Sequence, residues 1–353
     1  MSTGTPAVIT PVDYLEDEHL TPGVKEFLKI VNAGGPLEDL PKLAARQVLI
    51  DAQAAFKVDY SGIEESERTI DVDGFTIKLN IVKPEGAEGA EGPEGAGGGK
   101  GPEGAEGAGA AQGQLPVFIF IHGGGWILGD YPTHRRLVRD LVVASGFAAV
   151  FVNYTPSPEA QYPQAINEIY AATKWVAEYG AEIGVDGGNL AIVGNSVGGN
   201  MTGVTTLMAK EKKGPKVKFH IMMWPVTDAT FEQNSYARFG VQRFLTTAVM
   251  KWMWDQYTTD LAARTEIHAS LLNATVDELK GMPPVLIQVA ENDILRDEGE
   301  AYGRKLEQAG VAVTTVRYNG MIHDWGMLNG LANENGTKSL ILHAAAELKK
   351  YLG

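Results

Sequence analysis

Two kinds of apolar pattern alternate along this chain. One is the short unbroken run: Leu115 to Ile121, Ala148 to Val152, Asn189 to Val193 and Val285 to Ala290. Runs of this length, apolar on both faces, predict strands of a buried parallel sheet. The other has helical spacing. It appears in Val24, Phe27, Leu28 and Val31, in Leu43 to Phe56, in Pro163 to Glu178, and in Leu340 to Leu352. Val249, Met250, Met253, Trp254 and Tyr257 form one further helical face, with Thr246 or Thr247 as its N-cap. Arg68 to Val72 and Phe75 to Ile81 flank Asp73-Gly74, which predicts a hairpin. Strands that alternate with helices predict an α/β fold.

The run Asn189 to Val193 leads into Gly194-Asn195-Ser196-Val197-Gly198-Gly199-Asn200. Gly-x-Ser-x-Gly at a strand-to-helix junction puts the serine on a sharp, strained turn with its hydroxyl exposed. A side chain at Gly194 or Gly198 is expected to collide with backbone there. The chemistry this suggests is acyl transfer through a serine ester.

The run Leu115 to Ile121 leads into His122-Gly123-Gly124-Gly125-Trp126, whose bare N–H groups suit the oxygen of a tetrahedral intermediate. The N–H of Val197 is the expected further donor. Val285 to Ala290 precedes Glu291-Asn292-Asp293-Ile294-Leu295-Arg296-Asp297-Glu298, and a strand from Val311 to Tyr318 precedes Met321-Ile322-His323-Asp324-Trp325. A serine hydroxyl needs a base, and the base needs an acceptor that fixes its tautomer. The order serine, acid, histidine selects Ser196, Asp293 and His323. Glu291 and Asp297 compete for the acid, but Asp297 reads better as the N-cap of the helix that runs toward Gly310.

With these motifs in place, the chain resembles the hormone-sensitive-lipase-like family of α/β-hydrolase carboxylesterases, of the bacterial type. Tyr154 through Tyr162-Pro163 and Asp293 through Gly299 also match, in family order. The resemblance implies a mainly parallel eight-stranded sheet with flanking helices and a helical cap. It implies hydrolysis of short acyl esters without a cofactor. In it, Ser196 is the nucleophile, Asp293 the acid and His323 the base, while Gly124, Gly125 and Val197 form the oxyanion hole. Residues 1–55 and 226–261 would form the cap, and 56–225 and 262–353 the core. Three positions depart from the family: Asn195 stands where aspartate is usual, Val197 where alanine is, and Asp324 where many members have glycine.

Around that center, Trp126, Trp252 and Trp254, with Met253, are the candidate pocket wall, and plain helix packing is an equal reading of Trp252, Met253 and Trp254. His134 reads as a surface residue and Asp228 as a turn former. His19, His220, His268 and His343 have no metal-ligand spacing, so no metal is expected. A net charge of −14 without a basic cluster argues against nucleic acid. No segment is apolar enough to span a bilayer, and no signal-peptide pattern opens the chain, so cytoplasmic residence is expected. With no cysteine, disulfides and thiolate chemistry are excluded. A small-molecule ester is the expected partner, and the resembling family often forms homodimers.

Glycine recurs at every third position from Gly86 to Gly107. The period is collagen-like, but proline is sparse and both ends are tethered to one sheet. A disordered acidic loop over 84–114 is the expectation. Three alternatives remain: an amidase or deacetylase on the same triad, a small-ligand receptor on the same fold, and a trimeric scaffold built on the glycine tract. Plant hormone receptors resembling the family lack the histidine, and His323 argues against the second.

Overall fold

The apolar runs become the middle of one sheet. The computed structural model describes residues 11–87 and 113–353, so the interior of the glycine tract lies outside the described residues. The strands are β1 (Ile63–Val72), β2 (Phe75–Pro84), β3 (Leu115–Ile121), β4 (Ala148–Asn153), β5 (Val185–Asn195), β6 (Val217–Met223), β7 (Val285–Asn292) and β8 (Val313–Ile322). They pair in the order β1-β2-β4-β3-β5-β6-β7-β8. The β1–β2 and β2–β4 pairs are antiparallel and the rest parallel. Val117 through Ile121 and Leu190 through Val193 are fully buried, as strands covered on both faces must be.

The helices are α1 (Pro22–Val31), α2 (Lys42–Ala54), α3 (Tyr131–Ser145), α4 (Gln164–Tyr179), α5 (Val197–Glu211), α6 (Asn234–Phe239), α7 (Thr247–Tyr257), α8 (Val276–Leu279), α9 (Arg296–Gln308) and α10 (Asn335–Leu352). Local chemistry sets their ends. The Thr246 hydroxyl accepts from Val249 N–H and caps α7. Asp130 and Thr133 form a reciprocal capping box on α3, which Gly146 closes in the left-handed conformation. The β1–β2 hairpin turns on Asp73 and Gly74, at φ of 51° and 84°, the two positive values that a tight primed turn needs.

Helix α2 is bolted to the sheet's loops by polar groups. Arg46 donates from Nε to the carbonyl of Ile127 at 2.7 Å and from Nη2 to that of Ser157 at 3.1 Å, and it pairs with Glu159 through two bonds of 3.0 and 2.9 Å. That guanidinium, with Lys42, pulls the Glu159 carboxyl down to about 2. The buried amide of Gln53 donates to the carbonyls of Thr133 and Met327 and accepts from Asn329 N–H.

Three sequence expectations are corrected. His134 is fully buried, because α3 turns it inward with Leu137, Val138 and Leu141. Asp297 is not a cap. It lies inside the first turn of α9, where it accepts from Ser235 N–H at 2.9 Å and pairs with Arg296. The last helix begins at Asn335 rather than Leu340, and the Thr337 hydroxyl in its first turn donates to the carbonyl of Leu331. Among the described residues, no helix is long and apolar enough to cross a membrane.

Candidate active site

Ser196, Asp293, His323 and the glycine loop all leave the carboxyl ends of parallel strands, where open α/β sheets carry their sites. Ser196 follows β5 at φ 56° and ψ −122°, a strained conformation for a residue with a side chain. The glycines around it behave as the motif requires. A Cβ on Gly194 would lie 2.6 Å from the carbonyl carbon of Gly198. One on Gly198 would lie 2.7 Å from the carbonyl carbon of His122 and closer still to the carbonyl oxygen of Ile121. The elbow therefore presses on the end of β3. Asn200 fixes the start of α5 by donating to the carbonyls of Val226 at 3.0 Å and Ala269 at 2.9 Å.

Ser196 Oγ lies 3.0 Å from His323 Nε2, and His323 Nδ1 lies 2.8 Å from Asp293 Oδ2. A carboxylate can only accept, so the proton belongs on Nδ1, and Nε2 is left to accept from the serine hydroxyl. Leu295 N–H holds the other Asp293 oxygen at 3.0 Å. Ser196, His323 and Asp293 are each at most 4% exposed, so their interactions are little screened by water. Burial works against a charged His323, but the Asp293 and Asp324 carboxylates outweigh it and hold the imidazole above its ordinary value. The arrangement is able to take a proton from the serine hydroxyl.

The glycine loop winds through left-handed conformations: Gly124 at φ 103°, Gly125 at 63° and Trp126 at 63°. Two of its carbonyls are engaged. That of Gly124 accepts from Ile127 and Leu128, and that of Gly123 accepts from His122 Nδ1 at 2.8 Å. Among the described residues, the N–H groups of Gly124, Gly125 and Val197 donate to no protein group. His122 is stacked on Tyr154 with ring centers 4.2 Å apart, and burial drops it to about 4, so it stays neutral and serves the loop's shape.

The aromatic pocket expectation is corrected at Trp126 and Trp254. Trp126 and Trp254 are fully buried and pack with Tyr257, the Trp126 and Tyr257 rings stacked at 4.1 Å. A wall that touches substrate needs accessible surface, and these two have none. Trp252 is half-buried, off the inward stripe of α7. Met253 is the residue of α7 that meets Gly125, since a Cβ on Gly125 would lie 2.6 Å from its Cε.

The competing residues do other work. Glu291 accepts from Gly320 N–H and pairs with His19 at 3.2 Å, and Asp228 builds its turn by accepting from Ala229 and Thr230 N–H. Glu298 is a residue whose part the motif did not disclose. It is fully buried and accepts from the N–H groups of Thr227 at 2.7 Å and Asp228 at 3.2 Å, which ties α9 to the exit of β6. Burial raises its carboxyl well above the usual range. Among the described residues, no three His, Asp or Glu side chains are grouped to hold a metal.

The signature of the alpha/beta hydrolase fold matches residues 118–327, which is more than half of the chain. The chain belongs to the alpha/beta hydrolase family. It is of the hormone-sensitive-lipase-like type, and it is an esterase. A thermostable esterase from Pseudomonas putida is 53% identical and superposes with a TM-score of 0.87, over 96% of this chain and 99% of that one. An ethyl acetate hydrolase of Pseudomonas putida is 29% identical over 324 residues, covering 89% of this chain and 94% of its own. Carboxylesterase NlhH of Mycobacterium tuberculosis is 35% identical over 217 residues, covering 60% of this chain and 67% of its own.

Proposed function

We propose that this esterase hydrolyzes short-chain acyl esters through an acyl-enzyme on Ser196. His323 Nε2 takes the hydroxyl proton as Oγ attacks the ester carbonyl. The resulting oxyanion is received by the N–H groups of Gly124, Gly125 and Val197. The tetrahedral center collapses, the C–O bond to the alcohol breaks, and His323 returns the proton to the leaving oxygen. Water, deprotonated by His323, then attacks the acyl carbon and releases the acid and the free serine. Asp293 keeps the imidazole in its Nδ1–H tautomer and stabilizes its cation.

The observation that carries this reading is the unbroken chain from Ser196 Oγ to His323 at 3.0 Å and on to Asp293 at 2.8 Å. The short acyl preference is supported by the tight surroundings of the serine, with Met253 against the glycine loop, and by the relative named for ethyl acetate. A homodimer and cytoplasmic residence complete the proposal. The family resemblance favors the first.

Turnover of p-nitrophenyl esters from acetate to decanoate, by the wild type and Ser196→Ala, tests it. The expected result is a maximum at the short end and an inactive variant. Full activity of Ser196→Ala would remove the acyl-enzyme, and a maximum at decanoate would remove the short-chain preference.

A further inference from the structure

His323 is flanked by two carboxylates. Asp293 occupies Nδ1, and Asp324 Oδ2 lies 3.8 Å from Nε2. That is too long for a hydrogen bond, so Nε2 stays available to Ser196, yet close enough for strong attraction to a cation. Asp324 sits at φ 60°, a costly conformation for a residue with a side chain. Its main-chain carbonyl accepts from Met327 and Leu328 N–H, which fixes the turn.

The side chain is fixed as well. Asp324 Oδ1 accepts from Trp224 Nε1 at 2.7 Å and from Asn195 Nδ2 at 3.1 Å. Asn195 has one orientation open to it. Its Oδ1 accepts from Gly123 N–H at 3.0 Å, so only its NH₂ faces the carboxylate. Asn195 and Trp224 are fully buried and Asp324 is 5% exposed. A buried carboxylate held by two neutral donors still favors a positive partner, and here that partner is the imidazolium of His323.

We propose that Asp324 is a positioning residue of this esterase: clamped by Trp224 and Asn195, it steadies the cation formed at His323 and ties that imidazole to the glycine loop at Gly123. The proposal rests on the triad reading above. It also accounts for two departures from the family pattern together. An aspartate at position 195 would set two carboxylates against each other, whereas asparagine bridges them to the loop.

The charged groups acting on the ring are Asp293, from the β7–α9 junction, and Asp324, from the ring's own loop. The elbow contributes the neutral Ser196 and Asn195, and the glycine loop contributes backbone and the neutral His122. Glu298 and Asp228 gather with Asp293 around Tyr236. Removing the Asp324 charge therefore lowers the proton affinity of His323. Because hydrolysis needs the neutral imidazole in the free enzyme, the acid limb of kcat/KM moves to lower pH.

The experiment is the pH profile of kcat/KM on p-nitrophenyl acetate for the wild type, Asp324→Asn, and the exchange variant Asn195→Asp with Asp324→Asn. Asp324→Asn removes the charge while an amide oxygen in the place of Oδ1 still accepts from Trp224 and Asn195. The exchange keeps the bond to Gly123 and moves the carboxylate one hydrogen bond farther from the imidazole, but gives up either the Trp224 or the 195–324 bond, since a single atom at position 324 serves both. The acid limb is expected to fall by about one pH unit in Asp324→Asn, to fall less in the exchange, and kcat on the plateau to drop up to about tenfold. A part that is only structural would lower kcat or the Tm and leave the limb in place. An unmoved limb in either folded, active variant overturns the proposal. Failure of both variants to fold overturns the relay as described, since Asp324→Asn retains its bonds. Failure of the triad reading looks different, because Ser196→Ala would then keep its activity.

Discussion

Gly198 and Ile121 stand so close that the serine elbow and the end of β3 are in backbone contact. A Cβ on Gly198 would overlap the carbonyl oxygen of Ile121 and reach within 2.7 Å of the next carbonyl carbon. Neither partner is a flexible side chain, so the strain must move the elbow or the glycine loop. Gly198→Ala is expected to cost about 1–3 kcal/mol or more of stability. It should also lower kcat/KM by about 100-fold through misplacement of Ser196. Thermal unfolding and ester turnover of the variant check both numbers.

Three acidic residues follow β7, and their contacts separate them. Asp293→Asn removes the acceptor that sets the His323 tautomer and is expected to lower kcat by about ten-thousand-fold. Glu291→Gln and Asp297→Asn touch Gly320, Ser235 and Arg296 instead, and should stay within about tenfold of wild type. Steady-state kinetics on one short ester distinguishes the three. An equal loss at Glu291 would reassign the acid.

The pH dependence follows from His323. Its proton affinity is raised, so the protonated, inactive form persists to higher pH than for an ordinary histidine. The acid limb of kcat/KM is therefore expected above the ordinary value of about 6.5. Activity rises as pH increases through that point. A limb below it would mean that burial, not the two carboxylates, governs the ring.

Met253 sets the room beside the glycine loop. Met253→Ala is expected to shift the acyl-chain preference toward longer esters by opening space next to Gly125. It should cost about 2–5 kcal/mol, since the side chain is buried. Trp252→Ala, off that face, should leave the chain-length profile unchanged. Comparing kcat/KM across an ester series for both variants checks the contrast.

Arg46 joins α2 to the strand exits at Ile127 and Ser157. Arg46→Ala strands two carbonyls and Glu159 and is expected to cost about 1–3 kcal/mol. The Glu159 carboxyl is held below its unfolded value, so its share of the stability is present above that unfolded value and fades as pH falls toward about 2. Partial exposure of Glu159 keeps that share small. Urea unfolding of both proteins at neutral and acid pH reads the difference.

Much of this architecture was legible because its signals are local. The glycines of the elbow, the asparagine-serine step and the strand before them lie within a dozen residues, and the tight turn leaves few alternatives. The apolar runs likewise identified β3, β4, β5 and β7, whose residues are buried on both faces. What escaped reading depends on distance. Asn195 and Asp324 are separated by 129 positions, and nothing in either neighborhood signals their bond. Glu298 looks like one more acid in a charged stretch until the segment after β6 delivers two N–H groups to it. His134 was misread because a polar residue on an amphipathic helix is ordinarily outside, whereas α3 is covered on that side too. Trp126 and Trp254 are not placed by sequence, because size and aromaticity suit a pocket wall and a packing core equally. Only burial separates those two uses.

The measurement to make is covalent labeling with diethyl p-nitrophenyl phosphate. Attack by Ser196 Oγ on phosphorus would release p-nitrophenolate and leave one diethylphosphoryl group on the serine. Mass spectrometry should find one such group per chain, mapped to Ser196, with ester hydrolysis lost in proportion. Hydrolysis that persists in fully labeled protein, or a label on another residue with Ser196 unmodified, would contradict Ser196 as the nucleophile.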